Sequence, residues 1–231
     1  MRWTVLTVPV LALAALTTAG TTATPLDAEA VHDLVSRIAA RQRSVRTLEA
    51  RFVQQRRSAL LLEPETSRGR LWFRAPDTVR WEYETPRPMV VLFRNGVLST
   101  WLPEDRTLER ARVPKRRRRF LEFLVGTRPL DELLGLFRLA VTDPGDAAPW
   151  KIRLEPASRQ VARRVRTIVL EVDRKLLLPI AVEYEEPDGD RTTFRFENLR
   201  VDAPIPDGRF ELELPPDVTV RTMGAGTSGD R

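Results

Sequence analysis

The chain has 231 residues, 42% of them hydrophobic, enough for one substantial domain with its own core once a leader is set aside. Its 38 Lys and Arg exceed 32 Asp and Glu for a formal charge of +6, a mildly basic balance that favours phosphate-bearing partners, an anionic membrane surface among them, without specifying a fold. With no cysteine and one histidine, disulfides, a thiol nucleophile, lipidation of the chain itself and an ordinary zinc centre are excluded.

Arg2, the apolar run Val5 to Leu16 and the small residues Thr17 to Ala19 or Thr21 to Ala23 have the layout of a secretory leader. Residues 1–23 are therefore expected to be removed, leaving a soluble exported domain over 24–221. The run falls short of the roughly 20 apolar residues that span a bilayer. Thr24-Pro25-Leu26-Asp27 then has the chemistry of a helix start, with Thr24 as N-cap, Pro25 at the first helical position and Asp27 reaching back. Val31, Leu34, Val35 and Ile38 recur at helical spacing, opposite Glu29, His32, Asp33 and Arg37, and predict an amphipathic helix packed on a sheet.

From Thr47 the period changes to two, with Leu48, Ala50 and Phe52 against Glu49 and Arg51. The same alternation returns at Leu71 and Phe73, at Val79, Trp81 and Tyr83, at Met89, Val91 and Phe93, and at Leu98, Thr100 and Leu102. Turn-forming residues separate these runs, so a meander of short antiparallel strands is predicted. Asn95-Gly96 is the strongest hairpin signal, because a type I′ turn needs positive φ at both central residues.

The middle of the chain differs. Five cations from Lys115 to Arg119 precede Phe120 to Gly126 and Leu130 to Gly135, two segments with the pattern of short helices ending at glycine. Strands are predicted again over 137–141, 150–155, 166–173, 178–185 and 192–199, with Phe210 to Leu214 as the last. A tail from Thr222 has nothing to bury and is expected to be disordered. The fold class is thus mainly β (α+β): one curved antiparallel sheet, an N-terminal helix and a midchain helical insert.

Catalytic chemistry is scarce. His32 lies on the polar helix face, where a solvated role suits it better than general base catalysis, and a Ser/His/Asp triad would have to use it. No phosphate-cradling glycine loop is visible. Glu82, Glu84, Glu183, Glu185 and Glu186 fit solvent-facing strand positions beside arginines, the common fate of such charges. The expectation is a protein without catalytic residues, metal or cofactor.

The stretch Arg68 to Tyr83 (RGRLWFRAPDTVRWEY), followed by Thr85-Pro86, closely resembles the LolA family of outer-membrane lipoprotein carriers. An opening helix leads into Phe52-Val53-Gln54, a strand of the family's Phe-x-Gln type. Asn95-Gly96 resembles its aspartate-glycine hairpin, and Trp101-Leu102-Pro103 its aromatic-x-Pro. The likeness runs from about Asp27 to Val220 and is most specific from Phe52 to Pro103. It implies an unclosed β-barrel covered by helices, a periplasmic monomer that binds the acyl chains of lipoproteins. Cargo would come from an inner-membrane releasing transporter and pass to an outer-membrane receptor.

On that reading Leu71, Phe73, Val79, Trp81, Tyr83, Met89, Val91 and Phe93 are candidates to line the acyl cavity, and Phe120, Leu121, Phe123 and Leu124 to form its lid. Ordinary core packing is the alternative for any one of them. In studied members an arginine before the signature proline pins the lid, and an aromatic three positions after it faces the cargo. Here Ala75 and Val79 occupy those places, and Arg74 should point to the opposite face of its strand. The Lys115 to Arg119 run suits a solvated loop or a contact with anionic headgroups. Nucleic acid is disfavoured as a partner by the export signal and by the lack of interleaved aromatics. A lipid-sensing regulatory domain, or a carrier of another amphiphile, remains compatible with the same half-barrel.

Overall fold

A computed structural model of the chain describes residues 24–113, 129–145 and 147–223. The predicted leader, the Lys115 to Arg119 run and the four lid candidates lie outside the described residues. Helix α1 spans Ala28–Ser44 and buries Leu34, Val35, Ile38, Ala39 and Gln42. Its cap is Asp27, whose carboxylate accepts from the Ala30 N–H at 2.8 Å. The sequence pattern placed that cap at Thr24. Instead Thr24–Pro25 forms a short edge strand, β1, which suits a proline with no N–H to give to a ladder.

The first meander consists of β2 (Thr47–Arg57), β3 (Glu65–Arg74), β4 (Thr78–Thr85), β5 (Met89–Arg94), β6 (Val97–Leu102) and β7 (Thr107–Arg112). The second consists of β8 (Phe137–Asp143), β9 (Trp150–Pro156), β10 (Thr167–Val172), β11 (Pro179–Glu185) and β12 (Arg191–Val201). A single-turn helix α2 (Arg159–Ala162) lies between β9 and β10. The predicted Asn95-Gly96 hairpin forms, with φ of 53° and 75°.

The two meanders join because β12 pairs antiparallel with β2, setting Phe196 opposite Phe52 and Phe194 opposite Gln54. The last strand, β13 (Thr219–Met223), runs parallel to β7, so Thr222 belongs to the sheet and not to a disordered tail. Among the described residues thirteen strands therefore make one sheet, in the order β1-β8-β9-β10-β11-β12-β2-β3-β4-β5-β6-β7-β13. It curls without closing, as expected of the fold class, and α1 packs against the same interior core as the apolar faces of β2, β3, β8, β9, β10 and β12. Leu130–Leu133 forms only a 3-10 turn where a short helix was expected, tied to α1 by the Gln42 side-chain carbonyl accepting from the Leu130 N–H at 2.8 Å.

The C-terminal segment departs from its sequence pattern. Phe210 ends a 3-10 turn (Asp207–Phe210), and residues 211–218 cross the outer face without forming the strand expected over Phe210 to Leu214. Phe210 fills a cluster with Trp72 and Leu92, while Leu212, Leu214 and Val218 cover Val90, Trp101 and Leu108. Apolar alternation here reflects a strap lying on a sheet rather than a strand within it.

Candidate functional site on the concave face

Strand alternation carries the site. Phe52 and Gln54 of β2 face the same side as Gly69 and Leu71 of β3, Trp81 and Tyr83 of β4, and Met89 and Val91 of β5, because residues directly opposite across a ladder share a face. From the other meander Phe194 and Phe196 of β12, and Val182 and Tyr184 of β11, join them. This is the face that packs on α1.

All eight cavity candidates lie on this concave face, at two depths. Leu71, Phe73, Val79 and Phe93 are buried in the interior core, while Trp81, Tyr83, Met89 and Val91 are half-buried. Exposure rises along β4 from Val79 to Tyr83, and along β5 from Phe93 back to Met89. The face is thus sealed near the start of β2 and opens toward its end.

Toward the open end stands an aromatic wall, its Phe52, Phe194 and Phe196 buried in the core and its Trp81 and Tyr83 half-buried. Phe52 lies edge-on to Trp81 and Tyr83, with ring centroids 4.8 and 5.0 Å apart, and Trp81 lies 5.3 Å from Phe194. Phe194 stacks near-parallel on Phe196 at 6.4 Å. Such pairs contribute about 0.5–1.5 kcal/mol each beyond their buried area. Gly69 makes the wall possible: a Cβ there would lie 2.9 Å from Phe52 Cζ and inside contact of the Glu82 carbonyl oxygen.

Polar groups on this face are few. Burial pushes the Tyr83 hydroxyl up to about 12, with Tyr184 nearby adding to the shift, so the phenol is neutral at physiological pH. Tyr184 is raised in the same direction, again chiefly by burial. Gln54 Oε1 is buried and, among the described residues, has no hydrogen-bond partner. Gln54, Phe194, Phe196 and Tyr184 were not among the site residues expected from sequence. Their strands were legible, but nothing local indicates that β12 returns beside β2.

The charged residues lie elsewhere. Glu82 and Glu84 pair with Arg70, and Glu185 with Arg166 and Arg191, as the sequence suggested. His32 is exposed. Arg74 does point away from the concave face: it pairs with Asp207 at 2.7 Å, donates to the Ile205 carbonyl and covers the Phe210 ring at 4.6 Å. Its role is to hold the C-terminal strap. Ala75 is anchored through its N–H to the Arg46 carbonyl at 2.8 Å, and Val79 is core. A groove of about 580 Å³ between β8 and β11, lined by Arg138, Arg153, Glu155, Arg166 and Glu185, opens on the outer surface. Among the described residues no acidic or histidine cluster could hold a metal, and no helix is long and apolar enough to cross a membrane.

An unclosed half-barrel, apolar along its inner face and aromatic toward its open end, defines the class of protein. The particular family follows from comparison: residues 43–213 match the model of the outer membrane lipoprotein carrier protein LolA, and the chain belongs to that family. An outer-membrane lipoprotein carrier protein of Alkalilimnicola ehrlichii is 29% identical over 183 residues, covering 79% of this chain and 80% of that one. Two solved structures share the fold at a TM-score of 0.52. An uncharacterised conserved protein of Thermus thermophilus is 10% identical, over 84% of this chain and 99% of that one. MucB is 16% identical, over 80% of this chain and 63% of that one.

Proposed function

We propose that this protein is a periplasmic carrier that shields the acyl chains of lipoproteins on its concave face and shuttles them from the inner to the outer membrane. The observation that carries the reading is the wall of Phe52, Trp81, Tyr83 and Phe194 toward the open end of an apolar half-barrel, in a chain of the LolA family. Each buried methylene is worth about 0.8 kcal/mol, so acyl chains in water need cover, whereas a fully complementary cavity would not release them. Aromatic side chains meeting edge to face can separate and close again, which suits reversible cover.

On this reading Trp81, Tyr83, Met89 and Val91 touch cargo directly, backed by Leu71, Phe73, Val79 and Phe93. Phe120, Leu121, Phe123 and Leu124 supply the lid, a releasing transporter and an outer-membrane receptor are the handover partners, and no catalysis or cofactor is involved. With Arg74 committed to the strap, any latch on the lid uses another residue. The test is Trp81→Glu, measured by displacement of a fluorescent acyl probe alongside thermal melting. The expected result is at least a tenfold loss of affinity with melting still cooperative. Unchanged affinity would remove Trp81 from the site.

A further inference from the structure

The β2–β3 hairpin carries a feature that the concave face does not use. At its tip stand Leu60, Leu61 and Leu62, with Leu60 94%, Leu61 39% and Leu62 105% exposed. Among the described residues nothing covers Leu60 and Leu62, which is costly for large aliphatic side chains in water. A tight turn does not require leucine. Other turns of the chain are built from Arg94-Asn95-Gly96, Pro103-Glu104-Asp105-Arg106 and Pro187-Asp188-Gly189-Asp190, the usual turn chemistry.

The base of the leucine tip is anchored. Arg56 pairs with Asp190 of the neighbouring β11–β12 turn at 3.1 Å, and Ser58 hydrogen-bonds to the same carboxylate. Within the loop the Leu61 N–H donates to the Ser58 carbonyl at 3.1 Å, and the Leu60 N–H to Ser58 Oγ at 3.3 Å. An ordered turn therefore presents its apolar side chains outward. It sits at the end of β2 beyond Gln54, the same end at which the concave face opens.

We propose that this tip is a membrane-docking element, inserting Leu60 and Leu62 into one leaflet of a bilayer. A fluid apolar medium can receive two fully exposed leucines directly, with no preformed pocket to match their shape. Arg57 next to the tip, and the net charge of +6 for the whole sequence, or +6 − 1 = +5 without Arg2 of the predicted leader, draw the chain to anionic headgroups, while Glu63 and Glu65 on the descending arm limit that attraction, so insertion is driven mainly by the leucines. Docking here would bring the open end of the half-barrel to the membrane surface. The proposal does not rest on the acyl-carrier reading.

The test is flotation of the purified mature protein, without residues 1–23 whose apolar run would itself partition into lipid, with vesicles of phosphatidylcholine alone, or of phosphatidylcholine and phosphatidylglycerol with the former in roughly threefold excess, the anionic lipid supplying the surface potential. Wild type is expected to float with the mixed vesicles, and less with the neutral ones. Leu60→Ser/Leu62→Ser and Leu60→Glu/Leu62→Glu should each lower partitioning at least tenfold, with melting unchanged because both side chains are already in water. Trp81→Glu should float like wild type, which separates docking from acyl binding. Failure of wild type to float, or flotation of both double variants at the wild-type level, would overturn the proposal and point to a protein partner for the tip.

Discussion

Gly69→Ala is the most economical probe of how the sheet builds its aromatic wall. Gly69 lies opposite Phe52 on one side and Tyr83 on the other, at a point where the β3–β4 register shifts. A Cβ at this position would fall 2.9 Å from Phe52 Cζ and would overlap the Glu82 carbonyl oxygen. The ring could swing aside, but a ladder carbonyl moves only with its strand. Overpacking typically costs about 1–3 kcal/mol, and relief through reduced unfolded-state freedom returns only about 0.4–1 kcal/mol. With the backbone as the obstacle, the cost is expected near the upper end and the net loss at about 2–2.5 kcal/mol. For a domain of this size that corresponds to a fall in Tm of roughly 4–10 °C. Circular dichroism melting of wild type and variant measures it directly. A fall under about 2 °C, less than 1 kcal/mol, would show that β3 and β4 separate easily here. It would refute the claim that Gly69 is required for the close approach of Phe52 and Tyr83.

Phe210→Ala should destabilise by about 3 kcal/mol, since it empties a buried site beneath Arg74, yet leave acyl-probe affinity unchanged because Phe210 lies on the outer face. A tenfold loss of affinity in the folded variant would contradict that separation of faces. Gln54→Met removes an unpartnered buried carbonyl while keeping an unbranched side chain, and should raise stability by about 1 kcal/mol in urea unfolding. Destabilisation by that amount would mean that the oxygen has a partner after all.

Local rules reach far in this chain. Alternation and turn residues place β2 to β6, Asn95-Gly96 marks its hairpin, and the eight cavity candidates do share one face. What stayed hidden depends on long-range pairing. Phe194 and Phe196 read as ordinary strand residues until β12 closes against β2, and only then do they meet Trp81. The strap misled for a related reason: Leu212 and Leu214 alternate like a strand because they lie across one, on Val90, Trp101 and Leu108. Thr24-Pro25 carried an acceptable helix-start pattern, but Asp27 provides the side-chain acceptor for Ala30 and leaves Thr24 to pair with Asp143. The leucines at 60–62 are visible in the sequence, although their meaning depends on knowing how exposed those side chains stand.

The central claim is tested most directly by incubating the purified protein with inner-membrane vesicles that carry a labelled triacylated lipoprotein and the family's releasing transporter, then separating soluble from sedimented label. A soluble one-to-one complex that forms with wild type and fails with Trp81→Glu is the expected result. Label that stays wholly with the membranes would contradict the carrier reading.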